Sequence, residues 1–120
     1  MAGYVDLYML PVPRRNLAAY RRLAKAWGRI MRDHGVLEYR EFVAAGVPPM
    51  KEIRPVAKLV KPKPGEVTVA SVVGFRSKAH RDRVNGAAYK DPRMIALMHS
   101  KPIFDMKRMF VGEFKTFVQG

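Results

Sequence analysis

Asp6 stands alone in an otherwise apolar run, Tyr4 to Val12 (YVDLYMLPV). A carboxylate in such a run is costly to bury unless it is paired or hydrogen-bonded. One reading makes Asp6 a general base with a raised pKa facing a cavity. The other makes it half of a buried ion pair, with Arg108 as the partner, because ion-pair networks perturb carboxylates as readily as catalytic sites do. Glu41 is the second candidate acid. If its segment alternates as a strand, Glu41 shares a face with Leu37, Tyr39 and Val43, either beside Asp6 or near a subunit interface. His80 falls at the third position of a predicted helix, one turn before Val84. The positive end of that helix favours a neutral imidazole able to relay a proton, and the alternative is a packed His bonded to a strand carbonyl. Asp6, Glu41 and His80 are therefore the candidate catalytic residues, with Tyr8 and Arg108 as candidate pocket residues.

Other chemistries lack their residues. With no Cys there is neither a disulfide frame nor a thiolate nucleophile. His34, His80 and His99 are far apart and none has the spacing of a metal-ligand pair; His34 and His99 lie at helix ends, where His is common on structural grounds. The segment KPKPGE is a Pro-stiffened turn rather than a phosphate loop, and no Gly-x-Ser-x-Gly elbow occurs. No metal and no cofactor are expected.

The formal net charge is +13, from 23 basic and 10 acidic residues. Such a field attracts polyanions and steers anionic ligands. The surface best placed for nucleic acid is the basic side of the first predicted helix (Arg21, Arg22, Lys25, Arg29, Arg32), with Lys51, Arg54, Lys58, Lys61 and Lys63 of the connector. No dense basic arm and no RNA-binding consensus accompany it, so the expected binding is non-specific. Phe110, Phe114 and Phe117 read as core or interface. No apolar run approaches the ~20 residues of a membrane span, and MAGYVDLYML lacks the basic start and cleavage site of a signal peptide. A cytoplasmic protein without membrane contact is expected.

The elements that would position these residues follow from periodicity. Tyr4 to Val12 is β-prone and stops at Pro11 and Pro13. Asn16 can cap a helix in which Leu17, Tyr20, Leu23, Ala24, Trp27, Ile30, Met31 and His34 form one apolar arc and basic residues the opposite side. Trp27 is expected at the centre of the core, and Gly35 is placed to end the helix with positive φ. Val36 to Ala44 reads as a strand. A Pro-rich connector or arm, residues 46–65, follows. Val67 to Phe75 is apolar on both faces and suits a central strand. Ser77 caps a second helix to about Lys90. Asp91 with Pro92 starts a shorter one through Met98, and Lys107 to Val118 is the last strand.

The expected architecture is one α+β domain over residues 1–120, a ferredoxin-like β-α-β-β-α-β sandwich. Both helices would cover one face of an antiparallel sheet. The other face is apolar with nothing left in the chain to cover it, so a second copy is expected to do so.

Three segments resemble the YbaA-like family of uncharacterised bacterial proteins: YVDLYMLPVPRRNLAAYRRLA, HGVLEYREFVA, and SKAHRDRVN with KDPRM and PIFDMKRM. The resemblance spans Tyr4 to Val118. It implies a domain of the dimeric α/β-barrel group, which also holds cofactor-independent monooxygenases and isomerase-like proteins. Leu7 and Met106 stand where the family tends to have Gly, and AAGVPPM replaces a stretch that is often acidic. The expected function is a homodimer holding a small, partly apolar ligand in the barrel interior, with cofactor-free proton-transfer or monooxygenase-like chemistry. The alternatives are a basic nucleic-acid or polyanion binder, and a dimeric partner-binding protein without ligand.

Overall fold

A computed structural model describes residues 1–120. The strands are β1 (Tyr4–Pro13), β2 (Glu38–Val43), β3 (Glu66–Phe75) and β4 (Phe110–Lys115); the helices are α1 (Leu17–Asp33), α2 (Ala57–Val60), α3 (Lys78–Ala88) and α4 (Pro92–Met98). The four strands form one antiparallel sheet in the order β2-β3-β1-β4. Pro11 and Pro13 extend β1 rather than ending it. They are tolerated because β4 pairs with β1 only as far as Met9, so beyond that point β1 is a free edge on that side.

The period of two divides the sheet into distinct faces. Tyr4, Asp6, Tyr8, Leu10 and Val12 of β1 lie opposite Phe75, Val73, Ser71, Val69 and Val67 of β3, and these pairs point toward the helices. One core cluster joins Ile30 and Met31 of α1 to Val73, Phe75, Val84 and Met94. A smaller one joins Leu10, Val12 and Val69. The other face carries Val5, Leu7 and Met9 with Phe42, Phe110 and Phe114, the last three 41%, 42% and 53% exposed. No helix is long and apolar enough to cross a membrane.

The helix boundaries follow local chemistry, with one correction. Ser77 Oγ accepts from the His80 N–H (3.1 Å) and Asp91 from the Arg93 N–H (2.9 Å), with Pro92 at the first position of α4. Gly35 ends α1 at φ +105°. Asn16, expected to cap α1, does not. Its amide Nδ2 instead donates to the Ile103 carbonyl at 2.9 Å, tying the start of α1 to the segment before β4. The connector holds the single turn α2 and is anchored where it meets β3: Arg108 grips the Glu66 carboxylate with both guanidinium NH groups (2.8 and 2.9 Å) and also donates to the Lys61 carbonyl. β4 starts later than Lys107 because Met106–Arg108 form a 3₁₀ turn, capped by Asp105 accepting from the Lys107 N–H.

Candidate ligand cavity

Beneath α1 the helix-side face of the sheet is not filled. Tyr8 and Leu10 of β1, Tyr39 and Glu41 of β2, and Ser71 and Val73 of β3 form the floor of a cavity of about 290 Å³. The register fixes their neighbourhood, because Ser71 lies opposite both Tyr8 and Glu41, and Val73 opposite Tyr39. α1 supplies the roof with Tyr20, Leu23, Ala24 and Trp27, whose spacing puts them on one helical face. Met94, Leu97 and Met98 of α4, with Ile103, Phe104 and Met109 beyond it, make the remaining wall. Phe104 meets Tyr20 edge-on at 5.7 Å between ring centroids. The space is at the lower limit of the usual size of small-molecule sites, and like them it is mostly apolar with a few polar groups.

While Lys101 stands apart on the wall, three of those polar groups, Tyr20, Tyr39 and Ser71, converge on Glu41. Its Oε1 accepts from Tyr20 Oη (2.8 Å) and Ser71 Oγ (2.6 Å), and its Oε2 accepts from Tyr39 Oη. A carboxylate offers about four lone-pair sites. Three are filled, so one on Oε2 is open to a further donor. Burial, and for Tyr20 and Tyr39 the neighbouring Glu41 as well, pushes the phenols of Tyr8, Tyr20 and Tyr39 well above the usual range, so all three remain protonated. The Tyr39 ring also stacks obliquely on Trp27 at 5.0 Å. It lies against Gly28, where a Cβ would overlap it, so the glycine in α1 makes room for the aromatic on β2. Trp27 is half-buried on the cavity wall instead of enclosed at the core centre, because the space beside it is open.

The remaining predicted site residues lie elsewhere. Asp6 is 1% exposed but faces α3, where Arg81 Nε donates to both of its oxygens at 3.2 Å. The partner is thus Arg81 and not Arg108, since α3 crosses the helix-side face while Arg108 is spent on Glu66 at the connector. Burial raises the Asp6 pKa, and the Arg81 guanidinium only partly offsets it. Glu113 and Asp82 also pair with Arg81, and Lys78 with both of them, which completes an ionic network. Asp6 lies on the helix side, not on the uncovered face. His80 is buried under Phe75 beside Gly35. Its Nδ1 accepts the Arg76 N–H at 2.9 Å, and burial lowers its pKa. Neither Asp6, His80 nor Arg108 lines the cavity; Tyr8 and Glu41 do. The cavity itself is between sheet and helices, not within a space between two sheets. No three His, Cys, Asp or Glu side chains converge as metal ligands would.

Tyr20, Tyr39 and Ser71 were missing from the sequence-based site. The alternation Tyr39-x-Glu41 placed two of the partners on one face, and that signal was available. The contacts from Tyr20 and Ser71 depend on helix placement and strand register.

A second, open depression of about 840 Å³ runs along the outer side of α1 beside β2. It shares Tyr20, Ala24, Tyr39 and Glu41 with the cavity. Arg21, Lys25, Arg29 and Arg32 line it; Arg22 does not.

Residues 3–106 match the model of the family described as "Protein of unknown function (DUF1428)". The Escherichia coli K12 protein described as uncharacterized protein YbaA is 34% identical over 115 residues, covering 96% of this chain and 97% of its own. A Shigella flexneri protein of the same description matches to the same extent. Among solved structures, a NIPSNAP family protein of unknown function from Agrobacterium tumefaciens superposes with TM-score 0.59 at 13% identity, covering 94% of this chain and 86% of that one. Rv0793 from Mycobacterium tuberculosis does so with TM-score 0.57 at 11% identity, covering 97% and 96%. At these identities the likeness is one of fold.

Proposed function

The chain belongs to the DUF1428 family of proteins of unknown function, and we propose that it is a cytoplasmic, homodimeric ligand-binding protein of ferredoxin-like, dimeric α/β-barrel type, taking a small, partly apolar molecule into the cavity beneath α1. The observation that carries the reading is the Glu41 cluster: one carboxylate, three hydroxyl donors and one acceptor site still open, in the wall of a mostly apolar cavity. An apolar body is favoured by desolvation. A hydroxyl or N–H on the ligand donates to Glu41 Oε2 and orients it. An acidic O–H placed there could pass its proton to Glu41 without a cofactor, the O–H bond breaking as the Oε2–H bond forms.

The sheet order β2-β3-β1-β4 supports the ferredoxin-like reading. Val5, Leu7, Met9, Phe42, Phe110 and Phe114 on the uncovered face support the dimer, since monomers rarely expose contiguous apolar patches beyond a few hundred Å². Phe114→Glu should turn a sedimenting dimer into a monomer, and a wild-type monomer at micromolar concentration would remove the dimer from the proposal.

Trp27 is the only tryptophan and lines the cavity, so its emission reports occupancy. Titration with 1-octanol and with its ether isostere 1-methoxyheptane separates the apolar contribution from the hydrogen bond to Glu41. The alcohol should bind about tenfold more tightly, as a hydrogen bond to a charged acceptor allows, and Glu41→Gln should abolish the difference. No response to either probe would defeat the ligand-binding reading.

A further inference from the structure

We infer that the molecule bound beneath α1 is an organic anion, with its apolar body in the cavity and its acidic head in the groove on the outer side of the helix. The inference rests on the ligand-binding reading above and adds the ligand's charge and orientation. Cavity and groove adjoin at Tyr20, Ala24, Tyr39 and Glu41, which line both. Ala24 contributes only a methyl group at that junction, so α1 adds little bulk there beyond the Tyr20 ring.

Beyond the junction α1 presents Arg21, Lys25, Arg29 and Arg32 in steps of four, four and three residues, a single helical stripe. None of the four takes part in any of the nine ion pairs of the chain. The two acids in the groove are already engaged: Asp33 with Arg93 at 2.7 Å, and Glu41 with its hydroxyls. Like charges one turn apart destabilise a helix, and a bound anion would relieve that repulsion. Leu17, Val43 and Val69 give the groove apolar walls, which focus the field of the stripe. Glu41 fixes the orientation. Its charge repels an acidic head from the cavity floor, and the four unpaired cations of the groove compensate such a head better than Lys101, the one cation on the cavity wall. A guanidinium fork matches carboxylate and phosphate alike.

The test uses the full chain, Trp27 emission, and two probes of equal chain length, octanoate and 1-octanol. Octanoate should bind at least about tenfold more tightly at low salt, and the gap should narrow as salt is added. Arg21→Glu combined with Lys25→Glu should close the gap and leave 1-octanol binding unchanged. Arg83→Glu combined with Lys90→Glu makes the same change in net charge away from the groove and should keep the gap. Octanoate binding no more tightly than a 1-octanol that does bind would overturn the inference and leave the ligand-binding reading intact. Silence with both probes would end both. An oligouridylate that binds through the stripe more tightly than octanoate at about 0.2 M salt would assign the cations to nucleic acid and overturn the inference.

Discussion

Asp6 and Glu41 are carboxylates on the same face of one sheet, each holding several hydrogen bonds, yet their surroundings differ in kind. Asp6 is held by a guanidinium, which has donors and no acceptor. The space around it is closed, and every neighbouring charge belongs to one ionic network. Glu41 is held by three hydroxyls, which both donate and accept, and a cavity opens beside it. A carboxylate locked by a cation is a fixed part of the fold. A carboxylate held by hydroxyls beside a void can exchange a partner. The chemistry of the donors, a guanidinium at Asp6 and hydroxyls at Glu41, therefore says more about role than the number of hydrogen bonds.

Substitution should separate the two regions. Asp6→Asn turns one of the two acceptor oxygens facing Arg81 Nε into an NH₂ group, so a donor meets a donor inside the closed site. A loss of about 3 kcal/mol is expected in denaturant unfolding, as for other half-broken buried pairs. A loss below about 1 kcal/mol would place Asp6 in the exchangeable class.

Gly28→Ala comes next. Its methyl meets the Tyr39 ring, and displacing that ring should cost about 2 kcal/mol of overpacking. The Tyr39–Glu41 bond should break with it, so the alcohol preference of the cavity should fall along with stability. Unaltered ligand preference in a destabilised variant would show that the Glu41 cluster does not depend on Tyr39.

Glu41→Gln should cost only about 1 kcal/mol. The amide oxygen can still accept from Tyr20 and Ser71, and Tyr39 can rotate its hydroxyl to accept from the NH₂. If this variant lost as much stability as Asp6→Asn, the contrast between the regions would collapse.

The smallest effect is one of pH. Arg108 lowers the Glu66 pKa from 4.5 to about 2. A carboxylate depressed in the folded state binds protons less readily there than in the unfolded chain. Its stabilisation is present above pH 4.5 and is lost as pH falls toward about 2. Arg108→Met should flatten the stability profile across that acid range. Asp6 acts in the opposite sense: its raised pKa means that its ionisation costs stability as pH rises through the carboxylate range. An unchanged acid limb in Arg108→Met would show that Glu66 does not contribute through this pair.

The elements were largely legible in the sequence, because the apolar arc of α1, the caps at Ser77 and Asp91 and the two-faced run of β3 are local signals. Asp6 was legible as a costly carboxylate, but its partner was not, since the choice between Arg81 and Arg108 depends on where α3 crosses the sheet. Glu41 was legible as an acid beside Tyr39. Its cluster required the register that brings Ser71 opposite and the helix position that brings Tyr20 across. Asn16 has the residue type of a cap, and only tertiary contact diverts it to Ile103. The apolar arc correctly grouped Tyr20, Trp27 and Ile30, but periodicity marks which residues face inward without telling whether the interior is filled.

The most direct test of the central claim is a crystal structure of the chain soaked with 1-octanol. The account predicts density for the alkyl chain between Trp27, Tyr8 and Met94, with the hydroxyl in hydrogen-bonding reach of Glu41 Oε2. Density only at the surface, or a cavity closed by Tyr39 and Phe104 with Glu41 unaltered, would contradict it.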